Sequence, residues 1–156
     1  MNSNTYTVSF TEVAVTAQQD FFELIPADDK PLEVVGLFLG QSSDEGDAAA
    51  EMLKFKVSRG WTTSGSGGTE PTPRPTDPND PAAGFTCEVN NTTVAKEGTE
   101  IVLHSDCFNV MAGEKLWLPD ECTWKCSQGQ TRLTVRLIET PTDSLTMSGT
   151  LYVKEY

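Results

Sequence analysis

Apolar and polar residues alternate with a period of two along much of the chain, which is the pattern of strands with one buried face. The segment 131–139 shows this most clearly, because Leu133, Val135 and Leu137 alternate with polar or basic residues. The segment 143–155 repeats the pattern, and we expect it to form the last strand. Its inward residues should be Leu145, Met147, Leu151 and Val153.

Two segments nearer the N-terminus depart from simple alternation. In 5–16 the apolar residues change parity after Phe10, so this strand should contain a bulge or bend near Thr11 and Glu12. The run 32–39 is apolar almost throughout and is bounded by a proline and a glycine. This favours a strand buried on both faces over a helix.

Roughly eight to ten short strands separated by turn signals, with almost no helical periodicity, predict an all-β fold, an antiparallel β-sandwich. Besides the segments named above, strands are expected near 20–25, 52–58, 85–89, 99–108 and 116–118. We favour a jelly roll. An immunoglobulin-like sandwich is the nearest alternative, but the cysteine and tryptophan spacing of that class is not present. A length of 156 residues favours a single domain over 1–156.

A segment rich in glycine, serine and proline interrupts the strands from Arg59 to Gly84, with the sequence RGWTTSGSGGTEPTPRPTDPNDPAAG. Five of the chain's nine prolines lie in it; each lacks a backbone donor and pushes the preceding residue toward extended geometry. The sequence therefore predicts an extended, exposed loop at 60–83, mobile in its Gly-Ser half and stiff in its Pro half. We expect the part 71–81 to become ordered only against a neighbouring protein.

The tryptophans suggest how such a loop makes contacts. Trp61 and Trp124 are predicted at or in loops, where exposed aromatic rings can stack on sugars or anchor a protein interface. The alternative is that both are buried against the core, as most tryptophans largely are. The candidate interface residues are Trp61, Pro71, Pro73, Arg74, Pro75, Pro78 and Trp124.

The charge balance narrows the range of partners. Eleven basic and twenty-three acidic residues give a formal net charge of −12, which opposes binding to nucleic acid or to anionic lipid. No apolar run approaches the length of a membrane span, and the first residues lack the pattern of a signal peptide. We therefore expect no nucleic acid and no membrane among the partners, and synthesis in a cytoplasm.

The four cysteines leave the redox state open. Cys87 and Cys107 lie in strands predicted to be neighbours, and Cys122 and Cys126 are separated by three residues. Thiols, or the two disulfides Cys87–Cys107 and Cys122–Cys126, are both compatible with this spacing. Only one closely spaced pair is present, which is half of a zinc site, so we expect no metal.

Catalytic chemistry has little support in the sequence. The single histidine, His104, lies in an alternating strand, and no spacing identifies the partners of a nucleophilic triad. The acidic run 44–47 lacks the spaced ligands of an EF-hand and is expected to be a solvated turn. We expect no enzymatic activity, no cofactor and no small-molecule substrate.

Several phrases of the sequence together resemble a family of small structural proteins of tailed bacteriophages and prophages. The resemblance runs from about Thr5 to Tyr156, and its most specific parts are GQSSD at 40–44 and LTMSGTL at 145–151. Within this class, a small acidic β-sandwich is similar to capsid decoration, or cement, proteins. The segment CTWKC at 122–126 departs from the family's pattern, so the resemblance implies no role for its cysteines.

The resemblance implies a virion protein on the capsid surface, made in the cytoplasm of a bacterial host. It also implies a homotrimer that binds the major capsid protein and stabilises the shell, because it adds contacts to the assembled form alone. The alternative is a carbohydrate- or receptor-binding module of a head fibre or tail, which Trp61 and Trp124 motivate.

Overall fold

The structure is a computed structural model and describes residues 3–43, 51–127 and 132–156. The predicted acidic turn at 44–47 lies outside the described residues. Within the described ranges the chain forms β-strands and one turn of 3-10 helix at Asp120–Cys122. In chain order the strands are β1 (Asn4–Val15), β2 (Gln19–Ile25), β3 (Leu32–Gln41), β4 (Met52–Thr63), β5 (Arg74–Pro75), β6 (Thr86–Asn91), β7 (Lys96–Asn109), β8 (Glu114–Trp117), β9 (Trp124–Cys126), β10 (Arg132–Leu137) and β11 (Leu145–Glu155).

The strands form two antiparallel sheets. Sheet A has the order β5-β1-β11-β3-β8, with β9 also paired to β3, and sheet B has the order β6-β2-β10-β4-β7. When β5, β6 and β9 are set aside, the remaining strands fall into the sets β1-β11-β3-β8 and β2-β10-β4-β7, which is the strand order of a jelly roll. The prediction of an all-β antiparallel sandwich is confirmed.

The hydrophobic core lies between the two sheets. The inward residues predicted for the last two strands are confirmed, since Leu133, Val135 and Leu137 of β10 and their counterparts on β11 are buried. The largest fully buried rings are Tyr6, Phe21, Phe22, Phe55 and Phe85. Burial of one such side chain contributes about 1.5–3 kcal/mol. The core unites strands from both sides of the glycine- and proline-rich loop.

The change of parity in β1 is confirmed as a β-bulge. The pairing of β1 with β11 slips between Phe10 and Val13, and Glu12 has a φ of 50°. Its backbone N–H donates to Ser148 Oγ at 3.0 Å instead of joining the ladder. The extra residue keeps Phe10 and Val15 both in the core, although an unbroken strand would place them on opposite faces.

The structure corrects the bounds of the long loop. Strand β4 continues to Thr63, so residues 60–63 of the predicted loop are strand. The continuation depends on Gly60, whose φ of 106° allows the register shift between Arg59 and Trp61 in the pairing with β7. Asn90 and Asn91, a residue pair typical of turns, instead end strand β6 and are buried.

Candidate interaction surface

Both candidate tryptophans lie in strands. Trp124 is in β9 and only 5% exposed, and its indole lies against the His104 ring, with the two centroids 5.3 Å apart. Trp61 is in β4 and half-buried, and its Nε1 donates to Ser58 Oγ at 3.3 Å and to Thr134 Oγ1 at 3.0 Å. The prediction of loop positions is therefore wrong for both residues. Burial against the core is confirmed for Trp124, whereas Trp61 is half-buried on the outward face of sheet B.

The proline-rich part of the loop lies on the chain's own sheet A. Arg74 and Pro75 form β5 and pair with Thr7 and Tyr6 of β1. Proline fits here because β5 is an edge strand, where its missing donor leaves no ladder partner unsatisfied. The expectation that 71–81 is ordered only against a neighbouring protein is wrong, since β1 supplies its backbone partners. Of the loop prolines and Arg74, Pro73 is buried, Pro71 and Pro75 are half-buried, and Arg74 and Pro78 are exposed.

All four cysteines lie in the described part of the chain, and none forms a disulfide. Cys87 is in β6 and Cys107 in β7, which are opposite edges of sheet B, so the predicted bridge between neighbouring strands is wrong. Cys122 is exposed, whereas Cys126 is buried. Burial raises the pKa of the Cys126 thiol to about 11 and also raises the pKa of Cys87, so both stay protonated at neutral pH.

The outward side chains of sheet B include a buried ion pair. Asp20 is fully buried and accepts hydrogen bonds from Arg136 Nε at 2.6 Å and from the Ala95 N–H at 2.8 Å. Arg136 Nη2 donates to the Ala95 carbonyl at 2.7 Å, and its guanidinium lies 4.4 Å from the Trp61 ring centroid. Burial raises the pKa of Asp20, and the Arg136 guanidinium offsets part of that shift. The pair ties the segment before β7 to sheet B.

A carboxylate pair lies beside it. Glu23 and Glu88 face each other across β2 and β6, and Asn91 Nδ2 donates to both at 2.9 Å. Ser64 Oγ lies 3.1 Å from Glu23 Oε1 and 3.0 Å from Glu88 Oε2, and Arg132 Nε lies 3.3 Å from Glu23. Burial and then the neighbouring Glu88 raise the pKa of Glu23 to about 7. Burial also acts on Glu88, but hydrogen bonds from Glu23 and Asn91 lower its pKa overall.

This carboxylate pair is closed off by the Gly-Ser half of the loop. Glu23 is fully buried, and it accepts a hydrogen bond from the Gly65 N–H at 3.2 Å. The loop also forms bridges from Ser66 to Thr93 and from Thr69 to Val89. The paired carboxylates therefore hold the loop on sheet B, and a bound substrate would first have to displace it.

Sheet A presents aromatic rings on its outward face, near the β8 edge. Phe38, Trp117 and Tyr152, which we call the aromatic platform, lie on the neighbouring strands β3, β8 and β11. Their ring centroids are 5.2 Å apart for Phe38 and Trp117, 5.7 Å for Phe38 and Tyr152, and 4.8 Å for Trp117 and Tyr152. Trp117 is 63% exposed. The platform is a preformed apolar surface that is open to solvent.

Gly36 sets the position of the Trp117 indole. It lies opposite Trp117 in the pairing of β3 with β8 and opposite Tyr152 in the pairing of β11 with β3. A Cβ atom at position 36 would lie 2.8 Å from both Cε3 and Cζ3 of Trp117. Since glycine has no such atom, the indole rests directly on the sheet backbone. Phe38 and Tyr152 contact the same ring, so a partner that binds it restricts little further motion.

Polar groups border the platform. A shallow groove of about 230 Å³ runs beside it, and its lining includes Phe38, Lys115, Ser148 and Thr150. Lys154 follows Tyr152 by two residues on β11 and so lies on the same face of sheet A. Hydroxyl and ammonium groups therefore surround the aromatic rings.

A second cluster fixes strand β9 and the end of the chain against β3. The Glu33 carboxylate, 5% exposed, accepts hydrogen bonds from the Tyr156 hydroxyl and from Thr123 Oγ1, the latter at 2.7 Å. Lys125 Nζ lies 3.8 Å from the same carboxylate. Burial by itself would raise the pKa of Glu33, but these hydrogen bonds lower it overall. The hydrogen bond to Glu33 raises the pKa of Tyr156 to about 12.

Within 3–43, 51–127 and 132–156, no group of three or more His, Cys, Asp or Glu side chains is placed to hold a metal ion. No helix in these ranges is long and apolar enough to cross a bilayer. His104 lies against the rings of Phe55 and Trp124, and its Nε2 is 3.7 Å from Asp106 Oδ2.

Sequence reasoning missed the platform as a unit. Tyr152 lies between the inward residues Leu151 and Val153, so the alternation implies that it points outward, but Phe38 lies in a run predicted to be buried on both faces, and Trp117 has leucines on either side. The available signal was Gly36, because a glycine inside an apolar strand often marks the close approach of another group.

The strand order defines this chain as an all-β sandwich, and the platform gives it an exposed aromatic surface. Comparison of the chain with models of protein families, with curated proteins and with solved structures gives no match.

Proposed function

We propose that this chain is a capsid decoration protein of a tailed phage, which binds the outer head surface as a homotrimer and stabilises the shell. The observation that carries the proposal is the aromatic platform, where Trp117 is 63% exposed yet held in place by Gly36, Phe38 and Tyr152. Tryptophan and tyrosine are enriched among the residues that dominate binding at protein interfaces. A rigid, exposed cluster of such rings suits a macromolecular partner.

Three further features support this role. Jelly rolls occur in viral capsid and lectin domains, although a fold does not by itself define a function. The resemblance of GQSSD at 40–44 and LTMSGTL at 145–151 to structural proteins of tailed phages implies the same class of protein. A net charge of −12 suits a basic patch on the capsid exterior. The expected partners are the major capsid protein and other copies of the chain, in the virion, after synthesis in the bacterial cytoplasm.

The proposal is tested with heads assembled without this protein. The added chain should bind them, appear as threefold-symmetric density in electron cryomicroscopy, and raise the temperature at which the shells break. Trp117→Ala should weaken binding about tenfold or more. Ile101→Ala is the matched control, since Ile101 is 48% exposed but lies on sheet B, and it should bind as the wild type does. Bare and decorated heads that resist heat and low salt equally well would contradict the proposal.

A second candidate is a carbohydrate- or receptor-binding module of a head fibre or tail. The platform favours it because an exposed indole bordered by Lys115 and Thr150 matches the apolar face and hydroxyl edge of a sugar ring. A glycan array should then show binding that Trp117→Ala abolishes. Absence of glycan binding, together with unchanged adsorption of phage that carry the variant, would remove this candidate.

A further inference from the structure

The two edges of sheet A carry different and complementary chemistry. At the β8 edge lie the aromatic platform and Lys115. At the β5 edge lies the segment 76–81, TDPNDP, which supplies two prolines and two acidic residues. The edges are separated by four strand spacings, roughly 19 Å, so the segment does not lie on the platform of its own chain.

The segment 76–81 is ordered before it meets any partner. Thr76 donates to the Thr5 carbonyl from its N–H at 2.9 Å and from Oγ1 at 3.1 Å, and Tyr6 Oη donates to the Pro81 carbonyl at 3.1 Å. Inside the turn, Asp77 Oδ1 accepts from the Asn79 N–H at 2.9 Å. A segment already held in this way loses little conformational freedom when it binds.

The exposed parts of this segment match the platform in chemistry. Pro78 is exposed in a turn that the Asp80 N–H closes by donating to the Asp77 carbonyl at 3.0 Å, and its rigid ring can pack flat on an aromatic ring. Asp77 is exposed and Asp80 half-buried, and both are acidic. Across the molecule, Lys115 and Lys154 border the platform. These opposite charges would meet if the segment of one chain lay on the platform of another.

We propose that the segment 76–81 of one copy binds the aromatic platform of a second copy, with Pro78 on Trp117 and the acidic residues near Lys115. Because the two surfaces lie at opposite edges of one sheet, the contact is head-to-tail, and repetition closes it into a ring or extends it into a filament. A closed ring of three copies rests on the proposed function. The contact between two copies does not require that function.

A competing surface is the free edge of sheet B. Ile101 and Val102 of β7 are 48% and 52% exposed, and an edge strand can pair with another chain through its backbone. That contact would use neither Trp117 nor segment 76–81. Variants on the two edges therefore separate the two possibilities.

Sedimentation velocity of the purified full-length chain tests the proposal. The wild type should form one discrete oligomer in a concentration-dependent way. Trp117→Ala and Lys115→Glu should each weaken association about tenfold or more, whereas Ile101→Lys should leave it unchanged. Asp80→Lys should also weaken it, and the double variant Lys115→Glu with Asp80→Lys should restore it, because the pair of charges is then exchanged. Circular dichroism should show every variant folded.

A photoreactive phenylalanine analogue placed at position 117 identifies the partner directly. Cross-links between chains should map to 75–81. A wild-type chain that stays monomeric would overturn the proposal and leave the capsid or a glycan as the occupant of the platform. An oligomer that Ile101→Lys weakens and Trp117→Ala does not would also overturn it, and would assign the contact to the β7 edge. A ring that forms but never binds heads would sink the decoration role alone, and a monomer that binds heads would sink this inference alone.

Discussion

The outward face of sheet B and the aromatic platform of sheet A are opposites. On sheet B, charged side chains such as Asp20, Glu23 and Arg136 are buried under loop segments, whereas on sheet A the apolar ring of Trp117 is exposed. Burying a charge costs several kcal/mol unless it is paired and hydrogen-bonded, so the face of sheet B must be complete for the chain to fold. An exposed ring adds little to folding. The outward face of sheet B therefore stabilises the fold, whereas the aromatic platform of sheet A is available for binding.

Removal of Asp20 should have the largest effect on folding. Asp20→Ala leaves the buried Arg136 guanidinium without its carboxylate and should lower the free energy of unfolding by about 3–5 kcal/mol. Urea denaturation measures this change. Glu139→Ala is the matched control, because Glu139 pairs with Lys54 in solvent at 3.1 Å and its loss should cost less than about 1 kcal/mol. Equal costs would mean that the face of sheet B is not structural.

The carboxylate pair should make stability depend on pH. The pKa of Glu23 is about 7 in the folded chain and 4.5 in its ordinary state, so between these values the folded chain holds more protons than the unfolded chain. The free energy of unfolding should therefore fall as pH rises from about 4.5 to 7, by on the order of 2–3 kcal/mol. Glu23→Gln cannot titrate and should remove this slope, as denaturation at several pH values would show.

The residues next to Glu23 allow a further test of this pH dependence. Glu88→Gln removes the like charge that raises the pKa of Glu23, so it should shorten the pH range over which stability falls. Arg132 Nε also faces Glu23 at 3.3 Å. An unchanged slope in Glu23→Gln would assign the pH dependence to other groups.

Substitution of Gly68, in the loop that covers the carboxylate pair, should destabilise the chain nearly as much as the changes described above. A Cβ at Gly68 would lie 2.0 Å from the Val89 carbonyl oxygen, which is backbone and cannot move aside. Gly68→Ala should therefore strain the bridge between Thr69 and Val89 and cost about 1–3 kcal/mol. Gly40→Ala, with open space around its Cβ, is the control and should change the free energy of unfolding by less than about 1 kcal/mol. Thermal unfolding of both variants compares them.

The sandwich could be predicted from the sequence because inward positions follow a strict rule. Alternation placed Val135 and Met147 inward, and the parity change in β1 located the bulge at Glu12. These features depend on which face of a strand meets the core, which is a local property of the pattern. The alternation does not by itself give the order of the strands in the sheets. That order can be predicted only after a fold class has been chosen.

The candidate surface could not be predicted because outward positions follow no such rule. Asp20 and Trp117 both point away from the core, and only the covering loop and the edge of the sheet make one buried and the other exposed. The prediction that the loop contains no strand was wrong. Its prolines exclude a helix and a central strand, but they allow the short edge strand at Arg74 and Pro75. The cysteine pairing failed for a related reason, because strands close in sequence lie at opposite edges of sheet B.

Gly36→Ala should have the smallest effect on folding and is the sharpest test of the comparison. Its Cβ would lie 2.8 Å from the Trp117 ring, compared with 2.0 Å from the Val89 carbonyl oxygen for a Cβ at Gly68, and the obstructing group is an exposed side chain that can swing away. The free energy of unfolding should change by less than about 1 kcal/mol, while the platform loses its geometry and binding to heads falls as it does in Trp117→Ala. Ile101→Ala, on sheet B, should bind normally. If Gly36→Ala instead destabilised the chain as much as Gly68→Ala, the platform would be part of the fold's support in the same way as the buried charges of sheet B, and its exposure would no longer argue for a partner.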